Sequence, residues 1–228
     1  MKLDDCKNKP LKSKPTTTVN VALFIVLLME LPIRVFLQPD PWLLDTHHWY
    51  FYQPIRLFIE FALVLVLIFS FRFTYPQLLR LQRSQLSLLF GCMAASMLLF
   101  SALEMQQLLK SFSAGIWIWL AWLFSGFCIG VGQELLYRGL LYTSLTRYIT
   151  PKLAAIVTTL AFVLAPLHSV RLWHYVQQEL FIVVAILIAV YIGVSVFFQW
   201  LRDHSNSVMM PALVHGAGNA ITWVAVFA

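Results

Sequence analysis

The sequence predicts an all-α membrane protein: a polytopic bundle of about seven transmembrane helices, forming one membrane domain over residues 1–228. Three observations carry this. Hydrophobic residues make up 60% of the 228 and charged ones only 11%, with a mean hydropathy of +0.77, a balance foreign to water-soluble domains. Apolar stretches recur at close to the roughly 20 residues a helix needs to cross hydrocarbon. Lysine and arginine gather in alternate connections, the bias that sets orientation in a membrane.

The elements follow in order. A basic tail, 1–18, carries Lys2, Lys7, Lys9, Lys12 and Lys14 and is placed in the cytoplasm. The first span, 19–37, resembles a signal peptide in its basic flank. Glu30, Pro32 and Arg34 interrupt its apolar run, however, and no small-residue cleavage site follows, so a retained helix is expected. Further spans are predicted at 54–71, 86–103, 116–137, 153–168, 180–200 and 208–227. Arg72, Arg80 and Arg83 follow the second span, Arg147 and Lys152 the fourth, and Arg202 the sixth. The connections on the opposite side are poor in such residues: 38–53 has none, 104–115 has only Lys110, and 169–179 only Arg171. The expected setting is a bacterial cytoplasmic (inner) membrane with the N-terminus in the cytoplasm. The formal charge of +6 is then a topology signal, and a nucleic-acid partner is not expected, since neither a basic face nor a known module is present. The expected partners are the lipid bilayer and a peptide or membrane-protein substrate.

Most polar residues of the early spans have structural explanations. Glu30 and Arg34 are four apart, as are Arg56 and Glu60, so each pair can close on one helix face. The segment 72–85, RFTYPQLLRLQRSQ, mixes arginine with leucine and should lie along the cytoplasmic surface. His47 and His48 sit in a Trp- and Tyr-bearing loop with the composition of an interfacial aromatic belt. Cys6, Cys92 and Cys128 have no paired spacing, so neither a disulfide framework nor a metal site is expected. Gly126 and Gly130 in span four have the small-xxx-small spacing that lets two helices approach closely.

The downstream half is different. Charge or imidazole inside hydrocarbon costs several kcal/mol by order of magnitude and generally faces a polar cavity. Such groups fall in three places: Gln133, Glu134 and Arg138 in GQELLYRGLL, His168 at the end of LAFVLAPLH, and His215 with Asn219 in HGAGNA. Glu134 and Arg138 share a helix face and can pair, while Gln133 is rotated by about 100° and points elsewhere. His215 and Asn219 repeat the four-residue spacing. His168 follows Pro166, where a disturbed helix could offer backbone carbonyls to a cavity. Together these groups are suited to handling water, and so to hydrolysis within a membrane. One tension follows from the span limits. His168 falls near the outer end of its span and His215 near the cytoplasmic start of its own. A shared site therefore requires span five to begin later, or one span to be broken or tilted.

QELLYRGLL, the span ending LAFVLAPLH, and MMPALVHGAGNA resemble the three motifs of the type II CAAX prenyl endopeptidase family, also called CPBP or Abi, whose members are intramembrane glutamic endopeptidases. The family pattern is Glu-Glu-x-x-x-Arg, then Phe-x-x-x-His, then His-x-x-x-Asn, on successive membrane helices. The resemblance covers about 116–225, which it marks as a catalytic core. It implies a carboxylate and His168 activating water for attack on a peptide bond, His215 and Asn219 stabilising the oxyanion, and Arg138 holding Glu134. No cofactor and no metal is implied.

The chain departs from the pattern twice. Leu164 stands four before His168 where phenylalanine is usual, and Gln133 replaces the first glutamate. An amide can orient water but cannot take its proton. Either Glu134 takes over as base, or the chain is an inactive member serving as a membrane binding or immunity protein, or Gln133 is a substitution that traps an inactive state. A third function class, a zinc-dependent membrane protease, would use two histidines and a glutamate, although no His-Glu-x-x-His helix occurs.

Overall fold

The computed structural model describes residues 55–228, which are helical almost throughout, with no strand among them. The tail 1–18, span 19–37, the Glu30–Arg34 pair, His47, His48, Cys6 and the side chain of Arg56 lie outside the described residues. Helix α1 runs Ile55–Thr74. Two 3-10 turns, Pro76–Leu79 and Arg83–Gln85, lead into α2, Leu86–Leu103. A break at Glu104 precedes the short α3, Met105–Ser111. Helix α4, Ile116–Glu134, continues through a π-helical segment, Leu135–Leu141, into α5, Tyr142–Leu145. Then come α6, Pro151–Val163, α7, Pro166–Gln177, α8, Phe181–Ser205, and α9, Met209–Phe227.

Among the described residues five helices are long and apolar enough to cross a membrane: 57–74, 83–103, 116–145, 181–205 and 209–227. Span five differs from expectation. The single helix foreseen at 153–168 is two helices meeting at an angle. Thr150 caps α6, its hydroxyl accepting from the Leu153 amide, and Pro151 opens the helix. Ala165 before Pro166 is extended (φ −54°, ψ 144°), because a proline disfavours helical backbone in the residue before it. Thirteen residues make α6 only about 20 Å long, short of a full crossing. The chain therefore turns before it leaves the bundle, and His168 stays inside. The tension between the depths of His168 and His215 is resolved by this break.

The sixth span also runs further than expected, to Ser205, so Arg202 lies within α8 rather than after it and is 9% exposed. Asn206 ends α8 in the left-handed region (φ 52°). The turn into α9 is tied to the first 3-10 turn: the Val208 amide and the Ser207 hydroxyl both donate to the Leu78 carbonyl, at 2.9 and 3.0 Å.

Helix α9 is the centre of the bundle, packed most extensively on α4, then on α2. The α4–α9 seam is set by glycine. A Cβ on Gly126 would lie 2.5 Å from the Asn219 carbonyl oxygen, and one on Gly130 2.7 Å from the Gly216 nitrogen. The small-xxx-small spacing thus holds two helices at backbone distance, as interfaces within membranes commonly do. Peripheral helices turn large apolar side chains outward, among them Phe58 and Phe73 of α1, Leu98 of α2, and Ile182 and Val196 of α8.

Candidate active site

The last turn of α4 divides its two polar residues as the helical period requires. Gln133 faces a cavity of about 280 Å³, and Glu134 points away from it into complete burial. The cavity is also lined by Phe162 of α6, His168 and Arg171 of α7, Tyr191 of α8, and His215 and Asn219 of α9. Four of the sequence candidates, Gln133, His168, His215 and Asn219, therefore share one space. Glu134 and Arg138 lie behind its wall.

Behind the wall, polar groups are linked in series. Glu134 Oε1 accepts from Arg138 Nη1 at 3.1 Å and lies 2.9 Å from His215 Nδ1. Both side chains of the Glu134–Arg138 pair are fully buried. The other edge of the guanidinium donates from Nη2 to the Ser195 hydroxyl at 2.7 Å and to the Ser195 carbonyl at 3.3 Å, and that hydroxyl donates to Thr159 Oγ1 at 2.9 Å. Burial of a charge is tolerable only with such pairing.

Aromatic rings enclose the same groups. The Arg138 guanidinium lies 4.5 Å over the Phe162 ring and 5.8 Å from that of Phe198. Phe162 meets His168 edge-on at 4.7 Å, Phe198 stacks on His215 at 4.7 Å, and Tyr191 stacks on His168 at 4.1 Å. Arg138 thus sits between two rings, each of which fixes one imidazole. The usual phenylalanine position is held by Leu164, which points outward at 66% exposure, and the ring that packs on His168 comes from Phe162 instead.

Backbone geometry fixes the His168 tautomer. Its Nδ1 lies 2.6 Å from the Phe162 carbonyl, one of the last in α6. A carbonyl only accepts, so Nδ1 carries the proton and Nε2 keeps a lone pair. For His215 the Glu134 carboxylate accepts from Nδ1, and Nε2 is left for the cavity.

The π-helical turn follows directly on Glu134 and contains Arg138. Such turns are frequent at functional sites because they displace side chains from the α-helical register. Here the Arg138 carbonyl accepts from Arg202 Nε at 3.0 Å, while Arg202 also reaches Thr143 Oγ1 and lies 4.3 Å over the Tyr142 ring. Among the described residues no three His, Cys, Asp or Glu side chains converge as a metal-ligand set.

The matched family covers all of these groups. Residues 115–221 match the family model described as Type II CAAX prenyl endopeptidase Rce1-like. This part of the chain, just under half of it, is similar to that family. No curated protein and no solved structure matches the chain. At family level the match supports a CAAX-type intramembrane protease, a hydrolase whose setting is a lipid bilayer and whose substrate is a protein or peptide.

Sequence reasoning did not find Phe162, Tyr191, Phe198, Ser195 or Thr159. A phenylalanine or lone hydroxyl in an apolar span gives no local signal. It also missed Glu104, buried at the α2–α3 break and lining the cavity with Arg171. Burial raises the Glu104 carboxyl above its ordinary pKa, and the Arg171 charge opposes the shift.

Proposed function

We propose that this chain hydrolyses a peptide bond of a membrane-associated or lipid-linked substrate, with a water activated by His168 and oriented by Gln133. His168 Nε2 takes one proton as the water oxygen attacks the carbonyl carbon. The carbonyl oxygen becomes an oxyanion, to which the Asn219 amide donates, joined by His215 Nε2 when His215 acts as an imidazolium whose Nδ1–H is taken by Glu134. On collapse, His168 returns its proton to the departing nitrogen. Glu134 serves by holding His215 through Nδ1, and Arg138 by holding Glu134. Glu134 is less suited to be the base, since its Oε1 is already shared by Arg138 and His215 and the side chain does not line the cavity.

The observation that carries this reading is the convergence of Gln133, His168, His215 and Asn219 on one cavity of about 280 Å³. The test is cleavage by protein reconstituted in liposomes, using membrane-anchored peptides with and without a prenyl group, with products identified by mass spectrometry. Cleavage abolished by His168→Ala and by His215→Ala, in variants that stay folded, supports it. Cleavage that persists in both sinks it.

Gln133 favours a second reading, an inactive member that binds a membrane partner. An amide stands where the family pattern has a carboxylate, so Gln133 supplies no base to the cavity it lines. A wild-type protein that cleaves nothing while Gln133→Glu cleaves would establish this alternative.

A further inference from the structure

We infer that Ser195 and Thr159 form a positioning pair for the site, acting on His215 through Arg138 and Glu134. The inference rests on the hydrolase reading for its consequence in rate, but its structural content stands apart from it.

Arg138 is fully buried and has five N–H groups to direct. One goes to Glu134 Oε1, its Nη2 reaches Ser195, and Nε has no hydrogen-bond partner. The two rings over its faces restrain tilt but not rotation in the guanidinium plane. Only edge contacts set that rotation, and at the edge away from Glu134 the shortest is the 2.7 Å bond to Ser195 Oγ. The Ser195 carbonyl, at 3.3 Å, holds the same nitrogen more weakly.

Ser195 Oγ has a single proton, and it is given to Thr159 Oγ1 at 2.9 Å. The lone pairs of Ser195 are thereby turned toward Arg138, so Thr159 fixes the polarity of the whole series. Hydrogen bonds run Arg138 to Ser195 to Thr159 on one side. On the other, Arg138 and His215 both donate to one carboxylate oxygen. The series crosses α6, α8, the π segment, α4 and α9, and its end is the imidazole that faces the cavity. Rotation of Arg138 moves Glu134 Oε1, and with it the direction in which His215 presents Nε2. Groups supporting a site in this way typically matter by about tenfold to a hundredfold when removed.

The experiment combines two measurements on full-length protein in membrane mimetics. Histidine-selective nitrogen NMR reads the His215 ring, with His215→Ala and His168→Ala giving the assignments. Cleavage of the membrane-anchored peptides gives kcat and KM. Ser195→Ala should shift the His215 ring signals while leaving those of His168, which is held by the Phe162 carbonyl. It should lower kcat by about tenfold or more with little change in KM. Ser195→Thr keeps the hydroxyl and should restore both. Thr159→Val, which leaves Ser195 in place but removes its acceptor, should give a smaller shift in the same direction. The inference is overturned if Ser195→Ala leaves the His215 signals as in wild type, or if His168 and His215 move together as in a general loss of structure that Ser195→Thr fails to repair. If the wild type cleaves no peptide, the hydrolase reading fails, and the ring signals alone still decide the positioning role.

Discussion

Glu134 and His215, 81 residues apart, meet through one contact of 2.9 Å between Oε1 and Nδ1. The same oxygen accepts from Arg138, so the carboxylate joins a cation behind the cavity wall to an imidazole on it. A glutamate used in this way orients a partner. Under the proposed hydrolysis the water-handling role falls to the residue beside it, Gln133, and to His168.

Position 133 should therefore respond to charge. Gln133→Glu places a carboxylate on the cavity that His168 also lines and should raise the rate of peptide hydrolysis, or create it if the wild type has none. Gln133→Ala should lower the rate less than His168→Ala does. Initial rates in the liposome assay check the order.

Phe162 and Leu164 separate packing from motif position. Phe162→Ala removes the ring shared by His168 and Arg138, and should cost about 3–5 kcal/mol as a large core truncation, with cleavage lost. Leu164→Ala, at a position 66% exposed, should leave thermal stability and cleavage near wild type. Thermal melts of the purified variants read both.

Glycine variants test the seam. Gly130→Ala puts a methyl group 2.7 Å from the Gly216 nitrogen and should lower the melting temperature and displace His215. Gly193→Ala, on α8 with nothing within 4 Å of its added methyl, should be neutral. Equal effects at the two positions would contradict the packing described.

Arg138→Met leaves the Glu134 carboxylate buried without its cation and should destabilise the protein by about 3–5 kcal/mol. Glu134→Gln added to that variant removes the stranded charge and should recover part of the loss. Denaturation of the single and double variants in detergent measures the coupling.

Glu104 gives a pH dependence of known sign. Its folded pKa lies above the ordinary carboxyl value, chiefly from burial, so its contribution to stability is complete below the unfolded pKa and is lost as pH rises through the folded one. Glu104→Gln should flatten the fall in melting temperature across that interval. A wild-type profile identical to that of the variant would refute the assignment.

The fold was legible from hydropathy because the long spans read as predominantly apolar runs, as in α2, whose limits agree with the structure. Span five was misjudged because apolarity continues through Ala165 and Leu167 while the backbone turns, and Pro166 was the available warning. Gln133, His168, His215 and Asn219 stood out because polar groups are conspicuous in hydrocarbon. Ser195 and Thr159 did not, since hydroxyls satisfy themselves within helices and carry no spacing. Arg202 could be read only as a charge marking the cytoplasmic side. Its bond to the Arg138 carbonyl depends on a π-helical turn that the residues of LLYRGLL do not announce.

The seam of glycines between α4 and α9 also divides the molecule mechanically. Backbone contacts at Gly126 and Gly130 leave no slack, so those two helices travel as one body and carry Gln133, His215 and Asn219 with them. The opposite wall of the cavity is made by α7 and α8, joined to that body through side chains such as Arg138 and Ser195. Side chains can change rotamer where glycine backbones cannot part. On the proposed hydrolase reading, a bulky peptide would enter by yielding of the α7–α8 wall, with His215 and Asn219 keeping their spacing.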